Sequence, residues 1–172
     1  MTLGVHFSET NNLAIDAKIF APTGAFETRN LSNLGMKEWT FMPNITHTYL
    51  IPKRGIEFTN NIGFDIYTTN PINNYKSGTI FHWDGLLMQY LSKHSGVGAI
   101  VSNVTQLTND TGPFTDKLNG FKMGTYGAGA IGFYVIKVGK TDLACQFRWI
   151  KQFDTVNTTN GSVLLLGVTA KL

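Results

Sequence analysis

The sequence predicts an all-β, up-and-down antiparallel fold, and three observations predict it. Apolar and polar residues alternate with period two over most of the chain, so each segment presents one set of side chains to each face of a strand. Only 15% of residues are charged and glycine is abundant, a balance that suits turns and pleated surfaces rather than helices. The links between the alternating segments are short and long in turn.

Thr2 to Ser8 is rich in β formers and gives the first strand. From Leu13 to Ala21, the residues Leu13, Ile15, Ala17 and Ile19 oppose Asp16 and Lys18. From Trp39 to Leu50, Trp39, Phe41, Pro43, Ile45 and Tyr49 share a face opposite Thr40, Asn44, Thr46 and Thr48. Ile56, Phe58, Ile62, Phe64 and Ile66 then lie against Glu57, Thr59, Asn61, Asp65 and Tyr67. Phe81, Trp83, Leu87 and Leu91 oppose His82 and Asp84. Val97 to Leu107 and Met123 to Ile136 are β-rich, but their alternation is ambiguous. Leu143, Cys145, Phe147 and Trp149 oppose Asp142, Gln146 and Arg148, and Leu164, Leu166, Val168, Ala170 and Leu172 carry the apolar parity to the last residue. The total is about nine strands, most of roughly ten residues or longer.

Short links at Glu9 to Asn12, Ile51 to Gly55, Ser92 to Gly96 and Lys137 to Lys140 alternate with long ones at Pro22 to Lys37, Thr68 to Ser77, Thr108 to Gly120 and Asp154 to Asn160. Tight turns at one rim and long loops at the other are the pattern of outer-membrane barrels. Strand length agrees, because a tilted strand crosses a bilayer in about 9 to 11 residues, whereas soluble strands average about five or six. Alternation alone does not say which face points outward, since a soluble barrel turns its apolar residues inside. Aromatics near segment ends, among them Trp39, Tyr49, Phe81, Tyr134 and Trp149, favour the interfacial girdles of a membrane barrel.

The expectation is a transmembrane β-barrel of the bacterial outer membrane, with a soluble lipocalin-like ligand-binding barrel as the alternative. On the membrane reading Asp16, Lys18, Glu57, Asn61, Asp65, His82, Asp84, Gln146 and Arg148 line the lumen. Arg148 at membrane depth then calls for an acidic partner, with Asp16, Glu57, Asp65 and Asp84 as candidates. The long loops are expected at the extracellular rim. Residues 1–172 are read as one barrel domain, with strands and a signal peptide expected upstream. An odd strand count leaves the first and last strands parallel, so the barrel is expected to be incomplete.

In order and spacing, several short pieces resemble outer-membrane proteins of the meta-pathway of phenol degradation. They are Ala21-Pro22-Thr23-Gly24, Asn70-Pro71 followed by Tyr75, Ser77 and Gly78, then Gln106-Leu107-Thr108 with Asp110 and Gly112, and Arg148-Trp149 running into Phe153. The resemblance spans roughly Leu13 to Leu172. It implies an outer-membrane barrel that passes small apolar or aromatic compounds inward, and it brings no catalytic residues. The final Leu172 departs from the Phe that ends many barrels. The partners it implies are outer-membrane lipid, the outer-membrane assembly machinery and the permeant itself.

Other chemistry is thin. The net charge of +3 sits in short pieces such as Pro52-Lys53-Arg54, so no nucleic-acid surface is expected. The lone Cys145 forms no internal disulfide. His6, His47, His82 and His94 are scattered over separate segments, which argues against a metal site, and His82 with Asp84 forms at most a hydrogen-bonded pair on one strand face. Gly127-Ala128-Gly129-Ala130-Ile131-Gly132 fits a dinucleotide pattern but lacks the helix that pattern needs, and reads instead as relief of crowding in a curved wall. The Asn-x-Ser/Thr triplets at Asn44, Asn103, Asn109 and Asn157 read as polar strand and loop residues. An outer-membrane hydrolase using Ser102 or Ser162 is a third reading, without a nucleophile elbow to support it. No cofactor and no enzymatic activity are expected.

Overall fold

The computed structural model describes residues 2–30, 33–113, 115, 120–139 and 141–171. The terminal Leu172, expected on the last apolar stripe, and Lys140 of the fourth short link lie outside the described residues, as do parts of the loops at 22–37 and 108–120.

The alternating segments become nine strands: β1 (Thr2–Ser8), β2 (Asn11–Phe20), β3 (Thr40–Ile51), β4 (Ile56–Tyr67), β5 (Ile80–Ser92), β6 (Ser95–Gln106), β7 (Gly124–Val138), β8 (Thr141–Val156) and β9 (Ser162–Lys171). They form one sheet in sequence order, with every neighbouring pair antiparallel. The short links are tight turns, one of them a single 3-10 turn over Pro52–Arg54 that Gly55 closes in the left-handed region. The β3–β4 ladder skips Met42 and Pro43, as it must where Pro43 has no N–H to give. β8 runs to Val156, into a stretch expected to be loop. It does so through a bulge in which Asp154, at φ 50°, is the extra residue between the pairs Tyr126–Phe153 and Gly124–Val156.

The two faces differ in a way that composition could not settle. Apolar side chains at mid-strand are exposed: Ile45 50%, Leu87 51%, Leu164 61%. Neighbours on the other face are buried, with Asn44 at 4%, Met88 at 6% and Ile100 at 3%. A single-layer sheet buries side chains only where it curls over them, so the polar face is the concave one and the apolar face the convex one. Among the described residues no ladder joins β1 to β9, and the sheet is an open curved wall with those strands at its edges.

Aromatic pairs gather where strands meet the long loops. Trp39 stacks with Phe41 at 6.4 Å, Phe64 meets Phe81 at 5.6 Å and Tyr126 stacks with Phe153 at 6.2 Å. The convex face also carries a polar interruption that the sequence reading passed over. His47 Nε2 lies 2.8 Å from Asn11 Oδ1, and the Trp83 indole N–H donates to Asn60 Oδ1 at 3.2 Å.

Candidate functional site

A hydrogen-bonded ladder crosses four strands of the concave face. The Asn44 amide on β3 donates to Asp16 Oδ1 on β2 at 3.2 Å, which turns its own Oδ1 toward His82 Nε2 on β5 at 2.8 Å. His82 Nε2 is therefore the donor. Its other nitrogen, Nδ1, lies 3.4 Å from Asp65 Oδ1 on β4, a close approach without a hydrogen bond, which leaves that buried carboxylate oxygen unpaired. Gly63 makes this possible: it sits between Asn44 and His82 in the register, and a Cβ there would collide with both side chains. Below this row the Thr46 hydroxyl donates to Asn61 and the Thr59 hydroxyl to Glu57, and the Tyr90 hydroxyl reaches Glu57 Oε2 at 2.6 Å.

Of the residues expected to line a lumen, Asp16, Glu57, Asn61, Asp65 and His82 are thus brought together on β2 to β5. Lys18 shares the concave face with Asp16, and Asp84 lies opposite Asn61 in the register. Gln146 and Arg148 lie three strands away on β8, where Arg148 faces Ile131 and Leu165. Arg148 makes no ion pair among the described residues. Asp16, Glu57 and Asp65 are engaged with Asn44, Tyr90 and His82 instead. His82 meets Asp65, which lies two places along β4 from its register partner Gly63, rather than Asp84 on its own strand.

Alternation did not reveal that half of the concave face is apolar. Met88 on β5 and Ile100 on β6 are buried, and Tyr90 meets the ring of Phe133 on β7 at 5.7 Å. β6 and β7 carry apolar residues on both faces, so period two says little there. The result is an amphipathic wall: hydrogen-bonding groups along β2 to β5, hydrocarbon along β5 to β7.

The long loops form a cap held by buried polar groups. Asp110, 7% exposed, accepts the Gly78 backbone N–H at 2.8 Å, the Gln106 amide at 2.6 Å and the Tyr75 hydroxyl. Asn70, 2% exposed, closes its own loop by accepting from Ile72 N and donates to Met36 O at 2.7 Å in the first long loop. Lys76 and Thr111 pair through their backbones. Gly78 has no space for a Cβ, which would strike Thr108 O. Asn70, Tyr75, Gly78, Gln106 and Asp110 are among the residues that carry the resemblance noted above, and their job is structural: they tie the long loops to each other and to the end of β6. Burial, together with the hydrogen bond to Asp110, pushes the Tyr75 hydroxyl up to about 12, so it remains a donor at any working pH. Glu38, just ahead of β3, is 7% exposed with Oε2 unpaired, and burial followed by the charge of Asp110 raises its carboxyl from 4.5 to about 7. Under the first loop a cavity of about 490 Å³ opens against Asn73, Tyr75 and Pro113 of the other two.

Two sequence motifs find places in the sheet. Gly127 to Gly132 lies inside β7, where a Cβ on Gly129 would strike Trp149 O of the adjacent strand. Ser102 lies on β6 opposite Asp84, and both ring nitrogens of His82 already face Asn44 and Asp65. A family model described as "Putative MetA-pathway of phenol degradation" matches residues 1–166. No curated protein and no solved structure gives a significant match.

Proposed function

We propose a role that proceeds from one fact: the chain belongs to the phenol-degradation family whose model covers residues 1–166. That role is to form part of the wall of a bacterial outer-membrane β-barrel through which small apolar or aromatic compounds pass inward, without cofactor or covalent chemistry. The observation that carries it is the inverted polarity of the sheet, with apolar side chains on the open convex face and charged and amide groups on the β2 to β5 half of the concave one. A soluble lipocalin-like barrel requires the opposite arrangement. Aromatic pairs at the loop end of the strands support the same orientation, at the height where membrane barrels carry a girdle. A hydrolytic reading gains nothing from Ser102, since His82 Nε2 is hydrogen-bonded to Asn44 and no hydrogen bond joins His82 to Ser102 among the described residues.

Within the barrel the nine polar residues from Asp16 to Arg148 face a wet lumen. The amphipathic wall suits a permeant with one polar group on an apolar body, which slides along the hydrocarbon of β5 to β7 while its polar group exchanges partners on β2 to β5. Transport of this kind is down a gradient. The test uses the full-length protein in vesicles whose outer leaflet is lipopolysaccharide, because plain phospholipid passes phenol unaided. Phenol entry should be faster with the protein than without it, and the protein should fractionate with the outer membrane in cells. Equal entry rates would overturn the reading.

A further inference from the structure

The structure assigns the cavity of about 490 Å³ beneath the first long loop as a binding site for an uncharged single-ring aromatic compound bearing a hydroxyl group. This deepens the uptake reading and rests on it for direction: the site lies among the long loops, where a compound arriving from outside meets the protein first.

The cavity is built rather than incidental, because its walls come from three separate loops that are fixed independently of any ligand. The first loop is closed on itself, with the Asn33 side chain accepting Glu27 N–H at 2.8 Å and donating to Glu27 O at 3.2 Å. Its base is pinched where Gly24 and Gly35 approach so closely that neither has space for a Cβ. The second loop is tied to the first by the bond from Asn70 to Met36 O, and to the third by the bond from Tyr75 to Asp110. A site held in place before the ligand arrives avoids the ordering cost of binding.

The lining decides the class of ligand. Phe26, Met36, Tyr75 and Pro113 offer two rings, a thioether and a pyrrolidine, surfaces that a flat apolar ring fills. The cavity volume falls in the range of small-molecule sites, about 300 to 1,000 Å³. Asn30 adds a side-chain amide, Asn73 adds an amide whose oxygen already accepts the Tyr75 backbone N–H at 3.0 Å, and Glu27 adds a carboxylate that can accept a hydrogen bond from a hydroxyl. The Asn33 amide is already spent on the loop backbone, and the Tyr75 hydroxyl on Asp110. Glu27 at the cavity wall opposes an anion. An aromatic carboxylate is therefore rejected where the neutral hydroxylated ring is accepted.

The experiment is a saturation-transfer NMR titration of the full-length protein in detergent, with phenol and benzoate as probes, run beside phenol entry into lipopolysaccharide-faced vesicles. Native protein should bind phenol saturably and benzoate not at all. Phe26→Ala should weaken phenol binding at least tenfold. Glu27→Lys should gain benzoate binding, a result that a misfolded variant cannot give. Absence of saturable phenol binding while vesicle entry persists would overturn the site and leave the uptake reading standing, and so would native-like phenol binding by Phe26→Ala. If Glu27→Lys gains no benzoate binding, the charge argument for this cavity fails. Saturable binding that responds to both variants, without accelerated entry, would sink the uptake reading and keep the site.

Discussion

Glu38 shows how a single residue sets the pH range of the loop cap. Its carboxyl is buried with one unpaired oxygen and stands near the negative Asp110, so the folded protein keeps its proton up to about pH 7, whereas the unfolded chain releases it near 4.5. Between those values the folded state binds more protons. Stability contributed through Glu38 is therefore fully present below about pH 4.5 and is lost as pH rises through about 7. Glu38→Gln removes the charge and keeps the shape. Thermal melts of this variant in detergent should show a higher midpoint than native protein at pH 8 and little difference at pH 4. An identical pH profile for the two proteins would show that the Glu38 carboxyl is not the group responsible. Nothing in the sequence distinguishes Glu38 from the other acidic residues, because its burial arises from loops that meet it only in three dimensions.

At the scale of the strand, the period-two pattern made β2, β3, β4 and β8 legible with their faces, since each carries charged or amide residues at one parity and large apolar residues at the other. It failed for β6 and β7, where Ile100 and Phe133 point into the concave face while Val97 and Tyr134 point out. The loop cap escaped for another reason: the contacts of Asp110 with Tyr75 and Gly78 join residues more than thirty positions apart, and no local spacing announces them. The resemblance did pick out these residues, but only as marks in order. Strand β4 gives the sharpest test of orientation, because Ile62 is 41% exposed on the convex face and lies between Ile45 and Trp83. If that face meets lipid near the bilayer midplane, Ile62→Lys should destabilise by about 2 to 4 kcal/mol in bilayer unfolding measurements. The adjacent Asn61→Lys, facing water, should cost far less. A reversed order of the two would return the soluble barrel to first place.

For the whole molecule, the decisive feature is that the sheet has two edges. Nine consecutive antiparallel strands put β1 and β9 in the same direction, so closing one onto the other would create a lone parallel pair in an otherwise antiparallel wall. One further strand running opposite to both would close the ring with antiparallel ladders throughout and restore the even count usual in single-chain bacterial barrels. In a bilayer this choice cannot be avoided, because unpaired N–H and C=O groups along an edge cost several kcal/mol each when they face hydrocarbon. In β9 the exposed row is also strongly apolar, with Leu164 at 61%, Leu166 at 76% and Val168 at 69% exposed, so an unclosed edge would present a template for pairing with other chains. Residues 1–172 expressed alone and refolded in detergent should therefore run as oligomers or aggregates. They should show no shift in gel mobility between unheated and boiled samples, and amide protons of β1 and β9 should exchange much faster than those of β4 to β6. Fusing one alternating strand antiparallel to β1 should restore a heat-modifiable monomer. A heat-modifiable monomer from residues 1–172 without that strand, with β1 and β9 amides protected like the rest, would show that the wall closes on itself.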